Sequence, residues 1–431
     1  NAMSANTTGD NNTAVGLAAL GANTTGHSNV AIGQAALDAC TTGIRNVAIG
    51  KDALTECTTG GTNVAVGTFA LNNSQTAGDN TAIGYHSLVT NSTGTANIAI
   101  GPYALDANTT ANNNIGIGYV ALSNNTTGAN HTSVGYQSLA NNTTGAANTA
   151  VGKDALLDNT TGSNNVAVGE NALANNTTAS ENTALGQNAL LTSTTGGNNV
   201  AVGHDAMRLT TTGGNNVGIG VDALRANTTG AGNTAFGYTA LDACTTGAYN
   251  VAVGFDSMGK VTTSSNNTAI GNSGLNNCTT GEGNTCIGKA SGDVITTSSS
   301  NTLVGRDTDT SSATSAGHEI AIGANAVGKG ASTGFINPNA GGVYQGNNSS
   351  TWSQTSDRRI KKNIKDNTTG LDSINQIRVR NFEYRTKDEI TDFDNPDSAV
   401  VEKEGVQLGV IAQEIETILP EVVKTESTGV K

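Results

Sequence analysis

The chain has 431 residues, of which 55 are glycine and only 3% aromatic, and its formal charge is −13. So few aromatics argue against an ordinary enzyme core of this length, and the acidic balance leaves no basic surplus for phosphate, so no nucleic-acid partner is expected. No apolar run reaches 18 residues, no signal-peptide pattern opens the chain, and the five cysteines form no CxxC pair; a membrane-spanning helix, a zinc site and a disulfide framework are therefore not expected.

From the start of the chain glycine recurs in steps of 17, from Gly16 to Gly305, with Gly323 following after 18. One unit reads roughly G-x-x-A-L-x-x-N-T-T-G-x-x-N-T/V-A-V/I, and a slot filled alike in every unit is under one repeated constraint. Before each glycine lies a short predicted strand, for example Asn29-Val30-Ala31-Ile32-Gly33. The slots three and one before glycine are β-branched or bulky throughout, and they share one strand face by period-2 alternation. The other face carries asparagine, with His131 as the exception, and a small residue, usually alanine. Neither face varies like a solvated one, so both are predicted to be buried. The bulky face is expected to pack inside the coil, and the alanine face to meet another chain.

After the glycine comes Ala-Leu, as in Ala36-Leu37, for which a short helical turn and a short second strand would both serve; Thr-Thr-Gly then marks a turn. A 17-residue unit buries too little apolar surface to order itself, so stacking and oligomerisation must supply the rest. Eighteen units at a strand spacing of about 4.8 Å make a rod of roughly 85 Å.

The strands Asn46-Val47-Ala48-Ile49-Gly50 and Glu319-Ile320-Ala321-Ile322-Gly323 resemble the head repeats of YadA-type trimeric adhesins, over about residues 1–330. The period departs from that family, whose heads use shorter coils. Seventeen-residue repeats of this kind also resemble those of bacteriophage tail fibres. The resemblance implies a parallel homotrimer.

Composition changes near residue 351. The last 81 residues hold 12 Lys/Arg and 15 Asp/Glu but four glycines, so a physically different object begins there. Ser356-Asp357-Arg358-Arg359-Ile360-Lys361-Lys362-Asn363-Ile364 is followed by Leu371, Ile374 and Ile377 at helical spacing. An alternating strand then runs from Val379 to Arg385, and LGVIAQEIETILPEVV from Leu408 to Val423 reads as a strand end leading into a helix stopped near Pro420. These blocks resemble the intramolecular chaperone domain of endosialidase-type phage tail spikes and fibres. The matching positions are Ser356, Asp357, Arg359, Lys361, Asn363, Ile364, Gly409 to Glu414 (Gln413 among them), and Leu419, Pro420, Glu421 and Val422. The resemblance implies that the domain helps three chains trimerise and then cuts itself off. Carried over, Ser356 is the nucleophile, Lys361 the general base and Thr355–Ser356 the scissile bond; a serine hydroxyl needs such a base, and Lys362 is its rival by proximity. The family domain continues into long helices, so both chain ends are expected to be cuts in a longer protein.

The fold expected is thus mainly β: a solenoid of 17-residue coils assembled as a parallel homotrimeric rod, followed by a small α+β domain that is incomplete at its C-terminus. Residues 1–305 form the shaft, 306–355 a last irregular coil and neck, and 356–431 the start of the chaperone. The expected function is the shaft of a virion tail fibre. Its partners are itself, a host-surface receptor (a glycan or outer-membrane component) and other tail proteins. A bacterial surface adhesin carrying the same chaperone is the alternative. No cofactor and no metal are expected; Asp307 and Asp309 form only a two-carboxylate loop. Cys40, Cys57, Cys244 and Cys278 occupy a slot where asparagine is usual, and read as small buried side chains with Cys286. Tyr85, Tyr119, Tyr136, Tyr238 and Phe255 share the slot after the glycine. Five in 17 units is sparse for a glycan surface, so corner packing is expected.

Overall fold

The computed structural model describes residues 1–314, 317–337, 343–345, 352–354, 370–385, 389, 405–420 and 423. The chain divides into two compact units, Asn1–Thr355 and Ser356–Lys431.

The first unit is a parallel β-solenoid. Strand β1 spans Thr13–Val15, β2 Val30–Ile32 and β3 Val47–Ile49, and one strand follows every 17 residues to β18 at Thr302–Val304. Then come β19 (Ile320–Ile322) and β20 (Gly334–Ile336). Each pairs in parallel with the next, in a register that sets equivalent slots side by side: Val30 on Val47, Ala31 on Ala48, Ile32 on Ile49. The winding ends in a meander, where β21 (Val343–Gln345) pairs antiparallel with β20 and β22 (Trp352–Gln354) with β21.

The interior reverses the predicted orientation of the strand. The alanine slot lies inside: Ala31, Ala48, Ala150 and Ala167 are fully buried, together with the leucines Leu37, Leu54 and Leu156 of the following segment. The bulky slots lie outside, with Ile32 38%, Leu185 47% and Phe236 54% exposed. Cross-section is the reason. One leucine per coil fills the interior and faces the middle of the strand, leaving room for a small residue only. Where that residue is Gly116, an added Cβ would sit 3.2 Å from Leu105 Cδ1, and at Gly218 it would sit 2.8 Å from Met207 Cγ.

The Ala-Leu segment is neither a helical turn nor a strand. From Gly16 to Gly288, the second and fourth residues after each repeat glycine are left-handed, for example Ala35 at φ 54° and Leu37 at φ 55°. A non-glycine residue there costs about 1–2 kcal/mol. The geometry sends the N–H of Ala35 back to Leu17 O (2.8 Å) and that of Leu37 forward to Ala53 O (3.0 Å), so the turn hydrogen-bonds to both neighbouring coils while the leucine is buried. The repeat glycine has a double reason. Gly33 has φ +136°, and a Cβ there would lie 2.4 Å from Gly50 O in the next coil.

Asparagine recurs because it meets two backbone groups of the next coil at once. Asn29 Oδ1 accepts from Asn46 N–H (2.9 Å), and Asn29 Nδ2 donates to Gly43 O (2.9 Å). Asn46 does the same for Asn63 N–H and Gly60 O. His131 copies this with its ring: Asn148 N–H donates to Nδ1 (3.2 Å), and Nε2 lies 2.7 Å from Gly145 O. A second amide ladder runs through Asn91, Asn108, Asn125, Asn142, Asn159 and Asn176, each side chain bonded to the one before. Cys40, Cys57, Cys244 and Cys278 stand in that second slot, buried and unpaired as disulfides, with Sγ near the carbonyl three residues on.

In the second unit, the short helix α1 (Leu371–Ile374) precedes strand β23 (Arg380–Phe382). Strand β24 (Gln407–Gly409) pairs antiparallel with β23, Arg380 opposite Gly409 and Phe382 opposite Gln407, and helix α2 (Ala412–Ile418) follows. Helix α2 stops at Leu419, whose φ of −138° and ψ of 72° are non-helical, as expected before Pro420.

Candidate functional site

Eight of the motif positions, Gly409 to Glu414, Leu419 and Pro420, lie within the described part of the second unit. Glu414 in the first turn of α2 meets Arg380 of β23 in a two-pronged ion pair, Nη2–Oε1 2.8 Å and Nε–Oε2 3.2 Å. The fork fixes helix to strand in one geometry, and the Arg380 guanidinium holds the Glu414 carboxyl below its ordinary range. Gly409 lies under the ring of Phe382, where an added Cβ would be 3.1 Å from Cε1. Gln413 and Glu414, with Thr417 and Ile418, form one wall of a cavity of about 600 Å³; Asn375, Gln376 and Arg378 form the other. Pro420 is exposed beyond the helix.

Thr355, Ser356, Asp357, Arg359, Lys361, Asn363 and Glu421 lie outside the described residues. The motif reading passed over Arg378, Arg380 and Phe382. The signal was present in the alternation of Val379 to Arg385, which puts residues 380 and 382 on one strand face.

Residues 356–424 match the family model of the chaperone of endosialidase. The match falls within the second unit and covers none of the coils. No curated protein and no solved structure matches the chain. In the chaperone-of-endosialidase segment, the glycine of the G-V-I-A-Q-E block thus admits the strand aromatic, and its glutamate anchors the helix to the same strand through Arg380.

The first unit presents two further surfaces. One is the outer face of its strands, an apolar stripe that includes Val15, Ile32, Ile49, Ile83, Val166, Leu185, Phe236, Ile270 and Ile287, each more than a third exposed. The other is the corner after each strand. There Tyr85, Tyr119, Tyr136, Tyr238 and Phe255 are about half exposed, and they pack on neighbouring rings along the axis. Burial, with Asp293 and Asp307 nearby, pushes the Asp309 carboxyl up to about 6.

Proposed function

We propose that this chain is the trimeric shaft of a bacteriophage tail fibre, and that its C-terminal chaperone drives trimerisation and then cuts itself off between Thr355 and Ser356. The observation that carries this reading is a continuous outward apolar stripe on a rod joined to a chaperone-of-endosialidase segment. Single-chain surfaces rarely expose so long an apolar strip, and a strip of this kind marks an interaction surface. Its slots stay β-branched or bulky from Val15 to Val304, so its partner must run parallel and in step with it over the whole rod; copies of the same chain meet that condition. Three is the number implied by the adhesin and chaperone resemblances. The rod then serves attachment at the virion tail, held by other tail proteins and directed at a host-surface glycan or outer-membrane component.

The cut is chemically balanced within the chain. Ser356 Oγ attacks the Thr355 carbonyl carbon and passes its proton to Lys361, and the Thr355–Ser356 C–N bond breaks as the amine takes that proton. Water then hydrolyses the resulting ester, leaving a carboxylate on Thr355 and a free amine and hydroxyl on Ser356. Lys361 acts only when neutral, which requires desolvation or the nearby cations Arg358 and Arg359 to lower its pKa. Assembly that buries Lys361 would therefore time the cut after folding.

Ser356→Ala and Lys361→Ala should each leave one uncut chain that still assembles, whereas Lys362→Ala should still cut. The readout is a denaturing gel with N-terminal sequencing of the released fragment, expected to begin Ser-Asp-Arg-Arg. Release of that fragment from the Ser356→Ala chain would eliminate the mechanism.

A further inference from the structure

The corner after each strand obeys different rules from the strand itself. Its first residue is Lys51, Lys153, Glu170, His204, Lys289 or Arg306 in six of the coils. Lys51, Lys153, His204 and Arg306 are more than half exposed in their ion pairs, and burying such pairs against another chain would cost their hydration. The corner therefore faces solvent even where the strand faces meet another chain. Between Phe69 and Tyr136 this open corner fills with rings instead: Phe69, Tyr85, His86, Tyr103, Tyr119 and Tyr136. They form one continuous run, with centroids 5.0 Å apart for Phe69–His86, 5.5 Å for Tyr85–Tyr103, 6.4 Å for Tyr103–Tyr119 and 5.5 Å for Tyr119–Tyr136. Despite that packing, Tyr85, Tyr119 and Tyr136 remain 45%, 46% and 48% exposed.

We propose that this aromatic ladder is a binding strip for a linear, uncharged glycan laid along the coil axis. Four tyrosines in successive coils offer apolar ring surface and phenol hydroxyls together, which suits a sugar whose carbon–hydrogen faces alternate with hydroxyls. Their spacing, one ring per coil, is close to the length of one pyranose unit. Charge selects against an acidic glycan: the sequence from Asp52 to Gly152 contains no lysine or arginine, and Asp106 lies within electrostatic reach of Tyr103 and His86. Along Tyr85 to Tyr119 an anionic sugar would meet a carboxylate and no lysine or arginine. The lysines at the two ends, Lys51 over Phe69 and Lys153 one coil after Tyr136, are already paired with Asp52 and with Asp154 and Glu170. The proposal deepens the attachment reading, on which it rests for its biological role, by naming the receptor class and the place where it binds. Three such ladders on a trimer would act together on a polymeric receptor.

The test compares the full 431-residue chain with a Tyr85→Ala/Tyr119→Ala/Tyr136→Ala variant on surfaces coated with amylose, β-1,4-galactan or mannan, and with polysialic acid and polygalacturonate. Because these rings are exposed, the variant should keep the wild-type circular dichroism spectrum and oligomeric state. The wild type should be retained on at least one uncharged polymer, and the variant bound at least about tenfold more weakly. A corner variant away from the ladder, Gln187→Ala/His204→Ala, should bind like wild type. Retention only on the acidic polymers, equal retention of the ladder variant, or binding to none of the uncharged polymers would each overturn the proposal. In the last case, a wild type that is still trimeric by sedimentation leaves the fibre reading standing, while a monomer removes that reading as well.

Discussion

A histidine can stand in a ladder of asparagines because its neutral ring has the same two functions at nearly the same reach. In His131, Nδ1 accepts from the next coil's N–H and Nε2–H donates to its carbonyl, as Oδ1 and Nδ2 do in Asn114. Burial lowers the pKa of His131 to about 4, from an ordinary value of 6.5. Between those values the unfolded chain holds the extra proton, so stability falls as pH drops from 6.5 towards 4; above 6.5 the full contribution is present. At pH 5 the loss is about 2 kcal/mol. His131→Asn should therefore match wild type at pH 7 and exceed it at pH 5. The readout is hydrogen exchange of the Asn148 amide, which should be slower in the variant by an order of magnitude or more at pH 5. Equal exchange at pH 5 would mean that the ring does not carry the ladder bond in neutral form.

At the scale of the coil, the side of the strand that faces inward decides what each substitution does. Ala150 and Ala167 lie inside, so Ala150→Glu should disrupt its coil outright by burying an unpaired charge. Ile32→Lys with Ile49→Lys and Val166→Lys acts on the outer stripe. It should leave the circular dichroism of the coils unchanged while lowering the sedimenting mass to that of one chain. The period, the strand and the repeated turn were legible in the sequence, because identical slots reveal identical constraints. The inside and the outside were not, because a core slot and an interface slot are both held constant in a single sequence. A small residue also reads equally well as close backbone approach and as the wall opposite a leucine. The left-handed leucines were hidden for another reason: local preference assigns that conformation to glycine or asparagine, and here burial and two inter-coil hydrogen bonds override it. In the second unit the motif pointed to Gly409 and Glu414, but the partners Phe382 and Arg380 emerged only once β23 and β24 were paired.

Over the whole molecule, coil stacks on coil in one register, so removing a complete unit removes one layer. Deleting residues 152–168 should shorten the solenoid and spare the fold. Deleting 153–168, one residue fewer, sets every later side chain one slot out of phase, exposing alanines and burying valines. Soluble yields and thermal midpoints should separate the two; equal values would count against the repeat as the unit of stability. In the proposed fibre, the apolar outer stripe would give this layered rod a reason to associate and the chaperone segment a means. Sedimentation equilibrium of the Ser356→Ala chain, which keeps both units in one polypeptide, tests that conclusion most directly. A mass of three chains that persists on dilution is the predicted result, and a stable, folded single chain would contradict the account.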